Sequence, residues 1–567
     1  MKNIPLYDVR QIANLKEMLE GSAKAFGSKP AFLVKSKAEE HYKPISYLQF
    51  KKDVDALGTM LVKLGLKGKR IALIGENRYE WCVSYLASIN GTGTIVPLDK
   101  ELPSNEIENL ISRSKSSAII FSGNYRKQIE EMNYACQYYI DMDAAEDNKN
   151  FLSLSKLLEK GCELIASGDT CFTSSEIDNG APDILLFTSG TTDISKAVML
   201  SHSNIASNLT AMCSMLYIGQ EDIFLSVLPI HHTYECTCGF LCPLYRGATV
   251  AFCEGLRHIP KNLKESKATV MLGVPLIFEA IYKRIWDQAS KTKGLVKKLK
   301  AAIRVSNLLR RVGIDITKKL FRQVHMSLGG NVRIFISGAA AIDPIVAKGF
   351  RELGIQFVQG YGLTECSPIA ALNRDVDFND SAAGIPLPNL QIRIDNKGQD
   401  GVGEIVVKGP SVMLGYFDDT EQTGSPKGII DGWFHTGDLG YMDEESFLYI
   451  TGRKKNVIVT KNGKNIYPEE IETLINRIPL VKESIVYGKN DSDSADLTVA
   501  AIVVPDMDKI NEAFEGNPLS HEDIYNMIQS DIKAVNKGLV SYKHVKHITL
   551  RHEEFAKTTT KKIKRYV

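Results

Sequence analysis

The chain has 567 residues, 44% of them hydrophobic and 24% charged, a composition typical of a globular protein with two to four domains. Its formal net charge of +2 gives no support to a nucleic-acid role, no apolar stretch is long enough to span a membrane, and the polar N-terminus lacks a signal-peptide pattern. Ten cysteines are too few for a disulfide scaffold in so long a chain, so we expect reduced thiols and a cytoplasmic location.

Short β-branched segments alternate with helical patterns through the first two thirds of the chain. Strands are predicted at residues 70–74, 117–121, 184–187, 249–252, 269–272 and 333–337. Helical patterns such as residues 104–115 and 204–216 lie between them. This alternation predicts an α/β fold whose parallel or mixed sheets are covered by helices on both faces.

The pattern of predicted strands and helices changes at about residue 384 and again at about residue 454. Glycine-punctuated strands at residues 390–394 and 404–408 predict a small β-barrel-like subdomain over about 384–453. Beyond it, strands at 484–487 and 497–504 and helices at 468–477 and 523–535 predict a small α/β unit. We therefore predict an N-terminal domain at residues 1–453 and a C-terminal domain at residues 454–567.

The strongest local signal is the loop at residues 188–196, TSGTTDISK, which follows an apolar strand. Hydroxyls and backbone N–H groups can cradle phosphate oxygens, and Lys196 adds a positive charge. The loop lacks the second glycine of a Walker A motif, which argues against a P-loop NTPase. A Ser/Thr-rich surface turn is the alternative interpretation.

This loop resembles the phosphate-binding loop of the acyl-adenylate-forming (AMP-binding) superfamily. Five further motifs resemble that superfamily and follow in its order: YGLTE at residues 361–365, WFHTGD at 433–438, TGRKK at 451–455, NGKNIYPEEIE at 462–472 and KTTTKKIKR at 557–565. Taken alone, the first, second and last of these would be interpreted as a solvated glutamate, a Gly-Asp turn and a solvated basic tail. The resemblance is closest to long-chain fatty acyl-CoA synthetases, and it implies ATP and Mg²⁺ as cofactors with coenzyme A as co-substrate.

The resemblance also implies roles for individual residues. The nucleotide-binding residues would be Thr188, Ser189, Gly190, Thr191, Thr192, Lys196, Gly338, Ala339, Ala340, Gly360, Tyr361, Gly362, Asp438 and Arg453. Metal binding would fall to Glu365 and Thr191, and catalysis to Lys562, Glu365, Thr364 and His232. Lys455 would be the hinge of a mobile C-terminal domain, whose Gly463 and Lys464 face coenzyme A.

Three positions depart from the family pattern, which has glycine where this chain has Asp193, Ala197 and Lys561. Asp193 puts a negative charge beside the predicted triphosphate, which is unfavourable unless it points away or helps to hold Mg²⁺. These departures bear on the geometry of the loop and leave Lys196, Glu365, Asp438 and Lys562 in place.

Two segments resemble those that build the acyl tunnel of long-chain synthetases. They are LPIHH at residues 228–232 and VPLIFE at 274–279, and they imply an acyl pocket that includes His232, Tyr234, Val274 and Pro275. A metal site on His231, His232 and the nearby Cys236, Cys238 and Cys242 is the alternative, but the spacing matches no common zinc pattern. We expect a helix through an apolar core instead.

Residues 283–322 hold thirteen Lys or Arg against two acidic residues. Leu295, Leu299, Ile303, Leu308 and Leu309 interleave with these charges. This pattern is typical of an amphipathic surface helix pair or of an interfacial helix on an anionic membrane. Aromatic residues for base stacking are scarce there, so no nucleic-acid partner is expected.

The function that follows is activation of a medium- or long-chain fatty acid as acyl-AMP and its transfer to coenzyme A. The alternatives are a related ligase that loads an acyl carrier protein or a non-fatty acid, and a non-catalytic, nucleotide-sensing or membrane-bound regulatory protein. The sequence does not determine the oligomeric state.

Overall fold

A computed structural model describes residues 4–35, 41–188, 195–418, 423–425, 427–460, 464–490, 497–514, 519–557 and 563–565. The chain divides into two compact units. Unit 1 comprises residues 1–392, 407–434 and 445–447, and unit 2 comprises residues 393–406, 435–444 and 448–567.

Sheet A, in unit 1, has nine strands whose middle strands run parallel. Their spatial order is Ile385–Pro386, Ile369–Leu372, Gln356–Gly362, Ile334–Ser337, Val270–Gly273, Ile223–Ser226, Thr249–Phe252, Pro30–Val34 and Lys43–Ser46. The predicted strands near 249, 270 and 334 are therefore confirmed. These strands read as continuous apolar runs because helices cover both faces of a parallel sheet.

Sheet B, also in unit 1, again has nine strands. Their spatial order is Thr423–Ser425, Gly415–Asp418, Lys196–Leu200, Ile184–Thr188, Thr94–Pro97, Arg70–Ile74, Ala118–Phe121, Tyr138–Asp141 and Leu152–Ser153. Its core includes Ile74, Val96, Ile119 and Leu185, all buried.

The glycine-rich stretch after residue 384 forms strands as predicted, but its strands join several sheets. Five of them make an open sheet C: Gln391–Asp395, Gly403–Lys408, Trp433–Met442 and Ile429–Ile430 in that order, with Leu448–Arg453 paired to Trp433–Met442. Gly415–Asp418 instead pairs with Lys196–Leu200 of sheet B. The described strands therefore differ from a separate closed barrel, because local glycine spacing does not reveal which distant strand each segment pairs with.

The helices follow the predicted alternation. Those of unit 1 are Leu15–Phe26, Tyr47–Lys63, Tyr79–Ile89, Ser104–Ser114, Arg126–Glu130, Leu154–Ala166, His202–Met215, Cys242–Arg246, Ile259–Ser266, Pro275–Ser290, Leu295–Arg311, Thr317–Leu320, Arg322–Ser327 and Pro344–Glu352. A π-helix spans Tyr234–Leu241, and 3₁₀ turns lie at Gly123–Tyr125, Leu256–His258, Thr364–Cys366, Lys454–Asn456 and Ser541–Lys543. No helix in the described ranges is long and apolar enough to cross a bilayer.

Unit 2 contains a three-stranded sheet D, Val481–Asn490, Leu497–Pro505 and Val545–Leu550. Helices Pro468–Ile475, Met507–Ala513 and His521–Asn536 accompany it, and a short ladder joins Ile458–Val459 to Asn465–Ile466. Ser520 and Asp523 form a capping box that fixes the start of the longest of these helices. The strands and helices predicted for the small α/β unit at the C-terminus are confirmed.

Candidate active site

Predicted site residues that follow four strands of unit 1 gather at one edge of sheet A, whereas Thr188 and Lys196 lie in strands of sheet B. Strands Ile223–Ser226, Val270–Gly273, Ile334–Ser337 and Gln356–Gly362 are parallel neighbours. Their carboxyl ends lead, in the same order, to His232, to Val274 and Pro275, to Gly338–Ala340 and to Thr364 and Glu365. Ligands of open α/β sheets bind outside the carboxyl ends of the strands, so this edge is where a substrate site is expected.

A chain of contacts links Lys196, at the end of the predicted phosphate-binding loop, to Glu365 of the YGLTE motif. Lys196 begins the strand opposite Thr188, and its Nζ lies 4.8 Å from the ring centroid of Tyr416. The Tyr416 hydroxyl donates a 2.8 Å hydrogen bond to Oε1 of Glu365. A cation and a carboxylate thus flank one aromatic ring, which presents both charges together.

The hydroxyl of Thr364 is held by Thr233, which immediately precedes the π-helix Tyr234–Leu241. Thr233 Oγ1 donates to Thr364 Oγ1 at 3.1 Å, which ties the segment after His232 to the segment that carries Glu365. The amide of Met413 donates to the Glu365 carbonyl oxygen at 2.8 Å. Glu365 is thereby fixed through both its backbone and its side chain.

At two glycine positions on this edge, the neighbouring atoms leave no room for a side chain. A Cβ on Gly362 would lie 2.1 Å from the Pro368 carbonyl oxygen. A Cβ on Gly338 would lie 2.7 Å from the ring of Tyr234, whose hydroxyl donates to the Ile336 carbonyl oxygen at 3.0 Å. Tyr234 therefore packs directly against the predicted nucleotide-binding segment, where Ala339 adopts the left-handed conformation with φ +70°.

Glu235 is a buried carboxylic acid next to Tyr234 in the π-helix. Burial raises the pKa of Glu235 to about 8, against the opposing effect of the Ser226 hydroxyl, which donates a 2.6 Å hydrogen bond to Oε1. A Cβ on Gly239 would lie 2.7 Å from the Glu235 carboxyl carbon, so this glycine makes room for the acid. π-Helices are frequent at functional sites.

Unit 2 contains a second cluster of predicted residues. Asp438 and Arg453 face each other across strands Trp433–Met442 and Leu448–Arg453, with Arg453 Nε 2.7 Å from Asp438 Oδ1. Glu404 accepts hydrogen bonds from Lys454 Nζ at 2.8 Å and from the Gly437 amide at 3.2 Å. Burial alone would raise the pKa of Glu404, but Lys454 and His435 outweigh it and hold the pKa below its usual range.

The hinge and coenzyme A predictions fall in the same unit. Lys455 lies in the 3₁₀ turn Lys454–Asn456. Lys464 is exposed, and its Nζ lies 4.6 Å from the ring centroid of Tyr542. Ser189, Gly190, Thr191, Thr192, Gly463 and Lys562 lie outside the described residues.

The residues that flank position 562 correct the interpretation of a solvated basic tail. Ile563 pairs with Lys557 as an isolated β-bridge, and Lys557 Nζ lies 2.7 Å from Glu483. Arg565 forms an ion pair with Glu472. Sequence reasoning missed these partners because the acidic residues come from distant segments of sheet D and its neighbouring helix.

The structure changes which residues could form the alternative metal site. Cys236, Cys238 and Cys242 are buried in helical core structure, as expected, and all ten cysteines are free thiols. Among the described residues, one group of three potential ligands is close enough to hold an ion, and it combines His231 and His232 with Asp99. No local signal pointed to Asp99, which follows a strand of sheet B.

The comparison with known proteins places this chain in a family. The model of the AMP-binding enzyme family matches residues 19–417, and the model of the AMP-binding enzyme C-terminal domain matches residues 455–566. The chain therefore belongs to the AMP-binding enzyme family. The family assignment from the motifs is confirmed.

Individual relatives are similar over nearly the whole chain. Long-chain-fatty-acid–CoA ligase 1 of Cavia porcellus is 29% identical over 572 residues, covering 92% of this chain and 79% of the relative. Fatty acyl-CoA synthetase A of Dictyostelium discoideum is 29% identical and covers 91% of this chain and 81% of the relative. The crystal structure of an anthranilate CoA ligase with anthranoyl-AMP matches with a TM-score of 0.76 at 17% identity, covering 100% of this chain and 98% of that one, and supports the α/β fold.

Proposed function

We propose that this chain is an AMP-forming ligase that activates a medium- or long-chain fatty acid with ATP and transfers the acyl group to coenzyme A. The observation that carries the proposal is the contact of Lys196 and Tyr416, from sheet B, with Glu365 at the carboxyl edge of sheet A, in a chain of this family. The names of its relatives, long-chain-fatty-acid–CoA ligase 1 and fatty acyl-CoA synthetase A, support a fatty acid as the substrate.

The chemical problem is the attack of a carboxylate on the α-phosphate of ATP. Both reactants are anionic, so the chain must supply positioned positive charge and alignment. In our proposal Thr188, Lys196 and residues 189–192 surround the β- and γ-phosphates, while Lys562 bridges the carboxylate and the α-phosphate. Gly338–Ala340 and Gly360–Gly362 would line the nucleotide, and Gly338 and Gly362 let Tyr234 and the Pro368 carbonyl pack against these segments.

A magnesium ion fits the donor set around Glu365. Carboxylate and hydroxyl oxygens are hard ligands, and Glu365 and Thr191 would hold the ion, with Thr364 close to Glu365 in sequence. When bound, Mg²⁺ makes pyrophosphate a better leaving group. The Tyr416 hydroxyl orients Glu365 by its 2.8 Å hydrogen bond.

Asp438 and Arg453 would bind the ribose, since a carboxylate can accept hydrogen bonds from two neighbouring hydroxyls. We propose that residues 454–567 move as one domain about Lys455, so that Lys562 serves adenylation and the Gly463–Lys464 loop serves thioester formation. The separate C-terminal family match, which begins at residue 455, supports this boundary.

The experiment that tests the function is ATP–pyrophosphate exchange across acids of graded chain length, followed by coenzyme A and acyl carrier protein as acceptors. A fatty acyl-CoA ligase exchanges only with a fatty acid present and releases acyl-CoA. Transfer to the carrier protein alone would identify the related carrier-loading ligase, and exchange with aryl acids alone would exclude fatty acids. Nucleotide binding without exchange for any acid would instead favour a regulatory protein.

We also propose that residues 283–322 contact an anionic membrane from the cytoplasmic side, consistent with free thiols throughout the chain. In helix Leu295–Arg311, Leu299 and Ile303 are partly buried and pack against the core of unit 1. Val305, Leu308 and Val312 are 54%, 65% and 70% exposed among exposed cations. Such a face combines shallow insertion with charge attraction.

Vesicle binding tests the membrane contact. We expect binding to anionic vesicles that weakens with added salt, and little binding to zwitterionic vesicles. Replacing Lys297, Lys298, Lys300 and Arg304 with glutamine should weaken binding to anionic vesicles. Arg310 is left unchanged in this variant, because its side chain donates a hydrogen bond to the Arg351 carbonyl oxygen and its replacement would perturb the fold. Indifference of the intact chain to anionic vesicles at low salt would refute the contact.

A further inference from the structure

Two histidines and one carboxylate converge in unit 1 at the ends of strands from different sheets. Asp99 follows strand Thr94–Pro97 of sheet B, and His231 and His232 follow strand Ile223–Ser226 of sheet A. The two imidazole centroids lie 4.1 Å apart, and His231 Nε2 lies 3.5 Å from Asp99 Oδ1. One ligand atom from each of the three residues lies within 4.8 Å of the other two.

The buried ring nitrogen Nε2 of His231 lacks a hydrogen-bond partner within the described ranges, and this observation points to a ligand. The His231 side chain is only 7% exposed, and its Nε2 makes no hydrogen bond to any residue in the described part of the chain. The 3.5 Å separation from Asp99 exceeds the range of about 2.7–3.2 Å for an N–H···O hydrogen bond. A buried polar atom without a partner is costly, and a bound ion would supply that partner.

The segments that carry these residues are held in place by other contacts. The Asn77 side chain donates to the Leu228 carbonyl oxygen at 2.7 Å and accepts from the Ile230 amide at 3.1 Å, immediately before the histidines. Asp99 Oδ1 accepts from the Glu101 amide at 2.9 Å. Both arms of the cluster are thus positioned independently of an ion.

We propose that Asp99, His231 and His232 form a binding site for a borderline divalent cation of the zinc class. Imidazole nitrogen and carboxylate oxygen are zinc ligands, and three protein ligands leave a fourth position open. In a tetrahedral site, ligand atoms about 2.0–2.2 Å from the ion lie about 3.3–3.6 Å apart, so closing a cluster whose ligand atoms lie within 4.8 Å needs shifts of at most about 1.5 Å. Mg²⁺ prefers oxygen ligands and does not match two imidazoles.

Occupancy of this site has a consequence that rests on the proposed function. His232 is also the histidine of the predicted acyl pocket, so an ion would engage its ring and offer its open position to the fatty acid carboxylate. The carboxylate would then be held away from the α-phosphate. We therefore expect the cation to compete with the fatty acid and not with ATP.

Cobalt titration of the full chain tests the site without any assay of activity. The chain, freed of metal with a chelator, should develop the visible bands of low-coordinate Co²⁺, and zinc should displace them. Asp99→Asn and His231→Gln should weaken binding at least about 10-fold, as losing even an outer partner of a metal ligand costs 10–100-fold. His258→Gln, which removes an exposed imidazole, is the matched control and should bind as wild type.

Several outcomes would overturn the site. One is equal Co²⁺ affinity in wild type, Asp99→Asn and His231→Gln. Another is an intense near-ultraviolet thiolate band, which would assign the ion to cysteines. If His231→Gln fails to fold, the shape-preserving Asp99→Asn decides, and zinc at a concentration near the wild-type dissociation constant should raise the melting temperature of wild type more than that of the variant.

Kinetics separate this inference from the proposed function. Zinc should raise the KM for fatty acid in wild type and not in His231→Gln, with Mg²⁺–ATP kept in excess. Inhibition that persists in His231→Gln would place zinc at the nucleotide instead and refute the competition. An absence of fatty acid activation in wild type would refute the proposed function, while the cobalt result would still decide the site.

Discussion

The hydrogen bond from Tyr416 to Glu365 gives the sharpest prediction from the geometry. Tyr416→Phe removes one hydroxyl and keeps the ring beside Lys196, so the cation–aromatic contact at 4.8 Å survives. The lost bond is 2.8 Å long and ends on a carboxylate, and such bonds contribute about 1.5–3 kcal/mol. Its loss frees Glu365 to rotate away from the position that would hold Mg²⁺.

The expected effect is therefore on the metal requirement. Removing the outer partner of a metal ligand typically costs 10–100-fold in affinity or activity, so we expect the Mg²⁺ concentration for half-maximal pyrophosphate exchange to rise about 10-fold or more. Acid-dependent exchange at varied Mg²⁺ and saturating ATP measures it.

A matched control keeps this test specific. Tyr449→Phe also removes a hydroxyl bonded to a carboxylate, that of Asp443 at 3.0 Å, where no role in the reaction is assigned. It should leave the Mg²⁺ dependence unchanged. If Tyr416→Phe shows the wild-type Mg²⁺ dependence, or if both variants change equally, Glu365 is not positioned for the metal as we argue.

The other predictions concern the ribose, the buried acid and the C-terminal lysine. Asp438→Asn should raise the KM for ATP about 10-fold, since a hydrogen bond to a charge contributes about 1.5–3 kcal/mol, and an unchanged KM would remove the ribose role. The pKa of Glu235 in the folded chain, about 8, lies above its unfolded value near 4.3, so the stability it contributes is complete below the unfolded pKa and is lost as pH rises towards about 8. Glu235→Gln should flatten this slope by up to about 1.4 kcal/mol per pH unit in urea unfolding, and a slope equal to wild type would contradict it. Lys562→Ala should abolish adenylation while thioester formation from supplied acyl-adenylate continues; equal loss of both would refute its assignment.

The sequence was most informative where motif order and strand position agree. Thr364 and Glu365 directly follow an apolar strand, so their place at the sheet edge could be predicted from residues 355–365 alone. The alternation of strands and helices likewise predicted the covered sheets, because burial on both faces leaves a continuous apolar signature.

What could not be predicted depends on contacts between distant segments. Tyr416 reaches Glu365 only because its strand adds to sheet B beside Lys196–Leu200, a pairing with no local signal. Asp99 meets His231 because two strands from different sheets end close together. The π-helical form of Tyr234–Leu241 could not be predicted either, because its apolar composition is equally typical of a buried α-helix.

The most direct test of the account is the fate of the substrate's carboxylate oxygens. If the acid attacks the α-phosphate, a fatty acid whose carboxylate is labelled with a heavy oxygen isotope must pass one labelled oxygen to AMP when acyl-CoA forms. Mass spectrometry of the nucleotide product measures this transfer. We predict labelled AMP that appears only with both fatty acid and coenzyme A in multiple turnovers; ADP as the product, or AMP without the label, would contradict acyl-adenylate formation by this chain.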